Sequence, residues 1–142
     1  MSGVTVHPDV VTQFNGFKLK CPPFNYRYFI YKIENDSQIV IESTGPIEYD
    51  YEKFYEVITK IKDECRYALA DLEVTTSDGR PTSKMVFIAW SPDTAKIKSK
   101  MLYVSGKEDI KRVLVGVGIH LDAKDETEIE KNYVMDSIKK YL

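Results

Sequence analysis

The chain is 142 residues long, 43% hydrophobic and 12% aromatic, which is the length of one domain with ample apolar surface for a single core. Its formal charge of −2 gives no global pull toward nucleic acid. No apolar stretch approaches the roughly 18 residues that spanning a bilayer requires, so a soluble protein is expected. The charge is uneven, however: residues 94 to 112 hold six Lys and Arg against two acids, a segment of +4 that leaves −6 for the remainder. A basic patch on a mildly acidic body suits an acidic protein surface or anionic lipid headgroups better than polyanions in general.

Asp9 to Leu19 reads as a helix, with Val10, Phe14 and Phe17 on one face, ended by the Cys21, Pro22, Pro23 run. Tyr26 to Ile33 and Gln38 to Ser43 are β-rich runs joined by Glu34 to Ser37, whose turn-forming residues predict a hairpin of antiparallel strands. Tyr51, Phe54, Tyr55, Ile58 and Ile61 mark a helix that ends near Asp63 and lies across a sheet face. Arg66 to Val74 and Lys84 to Trp90 form the next strand pair, separated by the polar loop Thr75 to Thr82. Their successive apolar positions predict central strands covered on both faces.

Trp90 to Ser105 carries the densest functional signal. Ser91 is suited to cap a helix, Pro92 has no N–H to lose at the first position, and Asp93 favours the positive helix start, so a helix is expected to begin at residues 92–94. At about 100° per residue, Ile97, Met101 and Val104 share a stripe with Lys100, while Leu102 points away and Lys98 falls between. Apolar groups therefore look in two directions, toward a core and toward something else. Lys107 to Gly116 reads as a second helical segment burying Ile110, Val113 and Leu114, broken by Gly116 and Gly118 before a short strand at Ile119 to Leu121. A last helix from about Asp125 uses Val134, Ile138 and Tyr141. Helices before, between and after the strands predict an α/β or α+β fold in which helices sandwich a mixed sheet, one domain over residues 1–142.

Catalytic chemistry finds no support. His7 and His120 are isolated from Cys, Asp or Glu at metal or triad spacing, and no phosphate-binding glycine loop is present. Asp125 and Glu126 sit at a helix start, where the dipole accounts for them. Cys21 and Cys65 fit neither a disulfide framework nor a metal site, and no secretory signal precedes them; both are expected to be reduced, in the cytoplasm. No enzyme activity, cofactor or metal is expected.

The run Trp90, Pro92, Asp93, Lys98, Ser99, Lys100, Met101 and Tyr103 resembles the actin-depolymerising factor/cofilin family. The resemblance extends along the chain in the family's order: Ser2 to Val4, Phe14 to Leu19, Arg27 to Ile33, Glu64 to Asp71, Ser83 to Trp90 and Leu114 to Gly118. It implies a single actin-depolymerising-factor homology domain with a five-stranded mixed sheet and a tail over about residues 1–6. It implies a monomer that binds G-actin and F-actin, prefers ADP-actin, and promotes filament severing and depolymerisation.

By the resemblance, Lys98, Lys100 and Met101 enter the cleft of an actin subunit, and Ile97 either joins that anchor or faces the core. Ser2, Gly3 and Val4 complete that surface, and Ser2 is a candidate phosphorylation switch, since a phosphate there adds nearly two negative charges facing an acidic partner. A filament-specific surface would comprise Arg80, Lys84, Asp136 and Lys140. Thr82 and Ser137 depart from the family there by standing where basic residues are usual, which leaves open a monomer-sequestering protein with weak severing. For Asp136 and Lys140 a solvated i,i+4 pair is the plainer expectation. Lys98, Lys100, Lys107, Lys111 and Arg112 are candidates for anionic inositol lipids, so a phosphoinositide-binding adaptor is the rival from another class. The basic cluster that animal relatives use for nuclear entry is missing from the first third of the chain.

Overall fold

The structure, a computed structural model, describes residues 4–19 and 26–141. Its strands are β1 (Thr5–Val6), β2 (Tyr26–Glu34), β3 (Gln38–Pro46), β4 (Arg66–Thr75), β5 (Pro81–Trp90) and β6 (Ile119–Ala123), in the order β1-β3-β2-β4-β5-β6. The four inner strands pair antiparallel, while β1 joins β3 and β6 joins β5 in parallel. The sheet is mixed, as expected, but has six strands rather than five. The additional strand lies within the stretch expected to be a tail: Thr5 N–H donates to Ser37 C=O and His7 N–H to Ile39 C=O, both at 2.9 Å. Val4 beside it is buried.

Alternation along the central strands sends successive side chains to opposite faces and builds two cores. On one face Phe29, Tyr31, Tyr67, Leu69 and Phe87 pack with α1 (Pro8–Lys18) and α3 (Ile97–Val113). On the other, Tyr28, Ile30, Ala68, Val86, Ile88 and Trp90 pack with α2 (Tyr51–Thr59) and α4 (Lys131–Ile138). Strands β4 and β5 are therefore covered on both sides, as their composition predicts. The β2–β3 ladder slips twice, at Arg27 and at Glu42. Arg27 is turned onto the carbonyls of Ile47, Tyr49 and Asp71 at 2.8–2.9 Å, and Glu42 pairs with Arg66 at 2.9 Å.

Local caps explain the early helices. His7 accepts the Asp9 N–H on Nδ1 at 3.0 Å with Pro8 opening α1, and Asp50 accepts the Lys53 N–H at 3.0 Å to open α2. The Pro22, Pro23 turn and Cys21 lie outside the described residues.

Several helix boundaries differ from expectation; α2 ends at Thr59 rather than near Asp63, leaving Ile61 beyond it. The lysine helix begins at Ile97, with Lys96 as its N-cap, because the Ser91 and Asp93 N–H groups donate to the carbonyls of Ala123, the last residue of β6, and Lys124 just after it. Residues 91–95 form a turn stitched to that strand end, closed by Ala95 N–H on Pro92 C=O at 2.9 Å. The two segments expected around Gly106 are one continuous helix of 17 residues. The last helix starts later than Asp125: a 3-10 turn at Thr127–Ile129 precedes α4, and a second at Lys139–Tyr141 follows it. Val134 and Ile138 are buried as expected, but Tyr141, in that second turn, is exposed.

Candidate functional site

Helix α3 is fixed by its inner face. Tyr103 lies there, its hydroxyl accepting the Ile33 N–H at 2.8 Å just beyond the end of the β2–β4 ladder. Its backbone carbonyl accepts the hydroxyl of Tyr67. Ser99 Oγ accepts the Cys65 N–H at 3.2 Å. Between these anchors Gly106 lets the helix approach closely, since a Cβ there would stand 3.0 Å from the Tyr67 hydroxyl and 3.3 Å from Ile33 Cδ1. Burial raises the pKa of Tyr67 and Tyr103, so both remain neutral hydrogen-bonding groups.

With that face held, the opposite face has no neighbour among the described residues. Ile97, Met101 and Val104 are 75%, 68% and 71% exposed, while Leu102 packs against the core. Both directions expected for the apolar groups are present, and Ile97 belongs to the outer one. Viewed down the helix, Lys98 lies about 100° to one side of Ile97 and Lys100 about 60° to the other. Lys98 Nζ stands 3.3 Å from Asp36 on the β2–β3 turn, and Lys100 Nζ donates to Asp93 C=O at 3.0 Å. An exposed apolar stripe with a cation on each flank can act as an anchor that excludes water within a rim that steers an acidic partner.

The five basic residues considered for anionic lipids do not form one cluster. By helical position Lys98 and Arg112 lie on one flank and Lys100, Lys107 and Lys111 on the other. Four are already paired: Lys98 with Asp36 at 3.3 Å, Lys107 with Asp122 at 2.6 Å, Lys111 with Glu108 at 3.4 Å, and Arg112 with Asp109 at 3.4 Å. His120 sits edge-on to Phe87 beside this flank, its pKa lowered by desolvation and then by Lys111 and Lys107.

The residues considered for a filament surface are more scattered. Lys84 on β5 is half-buried and lines a cleft of about 420 Å³ with Phe17, Asp71, Met85, Ile119 and Tyr141. Arg80 does not line it; its guanidinium is held by Asp78 of its own loop at 2.9 Å. Asp136 pairs with Lys139 at 3.0 Å, an i,i+3 pair. The Lys140 side chain, with Ser2 and Gly3, lies outside the described residues. Ser137 donates its hydroxyl to Tyr133 C=O at 2.9 Å.

Comparison with known proteins gives this arrangement a context. A family model described as cofilin/tropomyosin-type actin-binding protein matches residues 3–139. The chain belongs to that family. It is 40% identical over 130 residues to actin-depolymerizing factor 3 of Arabidopsis thaliana, covering 91% of this chain and 90% of that one. It is 38% identical over 141 residues to actophorin of Acanthamoeba castellanii, covering 99% and 98%. Among solved structures, Plasmodium berghei actin depolymerization factor 2 superposes with a TM-score of 0.83 at 32% identity, covering 99% of each chain.

In this member of the cofilin family, three features of the α3 surface lie outside the residues that carry the resemblance. Val104 extends the exposed stripe by a turn beyond Met101. Lys96 precedes Ile97 with its side chain exposed and without an ion-pair or hydrogen-bond partner among the described residues. Asp36 reaches Lys98 from 62 positions away in the sequence. Spacing signals the first two, Val104 by the stripe and Lys96 by the charge count, whereas nothing in the sequence announces the third.

Proposed function

We propose that this protein is a non-enzymatic, cytoplasmic actin-binding monomer that binds actin monomers and filaments, prefers ADP-actin, and promotes severing and depolymerisation. The observation that carries the reading is the exposed Ile97, Met101 and Val104 stripe, flanked by Lys98 and Lys100 on a helix whose inner face is pinned to the sheet. Family membership across residues 3–139 supplies the partner. The stripe enters an apolar cleft of an actin subunit, and the lysines meet carboxylates at its rim. Ser2 and Gly3 extend the same surface, whereas Val4, expected to join them, is buried in the core, and phosphate on Ser2 opposes binding by repulsion.

Filament contacts are assigned to Arg80, Lys84, Asp136 and Lys140. Severing follows if the protein binds one filament geometry more tightly than another, because it shifts that equilibrium only by the difference in affinity. Boundaries between decorated and bare segments are then the weak points. Anionic inositol lipids compete for the flank carrying Lys100, Lys107 and Lys111.

The decisive experiment compares wild type with Lys98→Ala/Lys100→Ala by ADP-actin monomer affinity, filament cosedimentation and severing. The double variant is expected to lose about tenfold in monomer affinity, since it removes two rim charges worth up to about 1 kcal/mol each, while staying folded, because exposed lysines contribute little to stability. Unchanged binding would reject α3 as the site. A monomer-sequestering variant of the reading is favoured by Arg80 and Asp136 being held within their own elements and by the neutral Ser137. Rapid filament fragmentation on dilution would remove it.

A further inference from the structure

The turn between β2 and β3 has a fixed shape. Asn35 and Asp36 take φ values of 53° and 56°, and the Ser37 N–H closes the turn on Glu34 C=O at 3.0 Å. Both central residues are thus left-handed, a conformation that Asn and Asp tolerate better than other side chains and that suits a two-residue hairpin. This geometry holds Asp36 at the tip, with Oδ2 3.3 Å from Lys98 Nζ; the two side chains remain 63% and 84% exposed.

The three lysines around the stripe are therefore in different electrostatic states. Lys96 is uncommitted among the described residues, and Lys100 rests on the neutral carbonyl of Asp93, which leaves its charge uncompensated. Only Lys98 faces a carboxylate. The turn does not depend on that carboxylate, since its closing bond is between backbone groups and Asn adopts the same left-handed conformation.

We propose that Asp36 is an attenuator of the α3 surface: it competes with an acidic partner for Lys98 and lowers the affinity of the helix for that partner. The proposal rests on the actin-binding reading of α3. A partner carboxylate reaching Lys98 must displace Asp36 or accept a second negative charge beside it, and like charges facing each other at an interface rim oppose association. Exposed ion pairs are weak, so removing the competitor changes affinity by about two- to fivefold. Screening shrinks the change as ionic strength rises.

The test is a set of double-variant cycles read by affinity for ADP-actin monomers at low and physiological salt. Asp36→Asn is measured alone, with Lys98→Ala and with Lys96→Ala. Asp36→Asn alone is expected to tighten binding about two- to fivefold. The gain should vanish in the Lys98→Ala background and survive in the Lys96→Ala background. An equal gain in all three backgrounds would overturn the proposal, because it would mean that Asp36 acts only through overall charge. No gain, or weaker binding, from Asp36→Asn while Lys98→Ala still weakens binding would also overturn it, leaving the α3 site intact. If Lys98→Ala leaves binding unchanged, the site itself is wrong and the attenuator falls with it.

Discussion

Gly106 offers a sharp test of how α3 is held, because two effects of a single methyl group oppose each other there. In an isolated helix Gly→Ala is favourable by about 1 kcal/mol. Here the new Cβ meets the Tyr67 hydroxyl at 3.0 Å and Ile33 Cδ1 at 3.3 Å. The Ile33 methyl ends a side chain that can rotate, but the Tyr67 hydroxyl is buried and bound to Tyr103 C=O, three residues before Gly106 on the same helix. Relief requires either lifting α3 or breaking that bond. Overpacking costs about 1–3 kcal/mol, and impairing a buried hydrogen bond costs about 1–3 kcal/mol more. Against the propensity gain of about 1 kcal/mol, Gly106→Ala is expected to destabilise the protein by about 1–5 kcal/mol in urea unfolding, the two costs together less that gain. In a Tyr67→Phe background the obstructing oxygen is gone, so the same substitution should cost almost nothing or become stabilising. Stabilisation of the wild-type protein by Gly106→Ala, at unchanged m-value, would refute the close-approach account.

The Tyr31 hydroxyl is fully buried and has no hydrogen-bond partner among the described residues. Tyr31→Phe should therefore leave stability unchanged or raise it by up to about 1 kcal/mol in the same unfolding assay, and a loss of 2 kcal/mol or more would indicate a hidden partner, judged on the same scale. His120 has a folded pKa below the ordinary 6.5, from desolvation first and then from Lys111 and Lys107, opposed by Glu108 and Asp122. Its contribution to stability is thus present in full above 6.5 and lost as pH falls from there toward the folded value, where the unfolded chain binds the proton more readily. His120→Gln is expected to flatten the stability profile in that window; an unchanged slope would contradict the assignment.

Alternation and helical spacing carry much of this fold on their face. The strand pairs, the Val10, Phe14, Phe17 stripe and the two-way apolar pattern of α3 all follow from local periodicity, and they appear in the structure with small boundary changes. The departures share a physical cause, which is that distant groups decided them. Ser91, Pro92 and Asp93 have the chemistry of a helix start, yet the N–H groups of Ser91 and Asp93 are spent on the carbonyls of Ala123 and Lys124 at the end of β6, and no local rule reveals that. Gly106 gives no local signal of its role, yet the helix uses it as a contact surface for Tyr67. Strand β1 is two residues long and exists only through its parallel partner. Lys139 pairs with Asp136 where the chain tightens into a 3-10 turn, in which residues three apart eclipse. The α3 site was legible as residues, but the state of each lysine was not, because Asp36 and the Asp93 carbonyl are brought to them by tertiary structure.

The slip at Glu42 bears on how the molecule behaves at high concentration. Strand β1 pairs with β3 only at Gln38 and Ile39, so the outer edge of β3 continues past it. A long regular edge of that kind is a template on which a second copy can add a strand. At Glu42 the register jumps by one residue and the carboxylate is drawn to Arg66, which interrupts the even row of donors and acceptors midway along the edge. A protein proposed to crowd along someone else's polymer is thereby discouraged from starting one of its own.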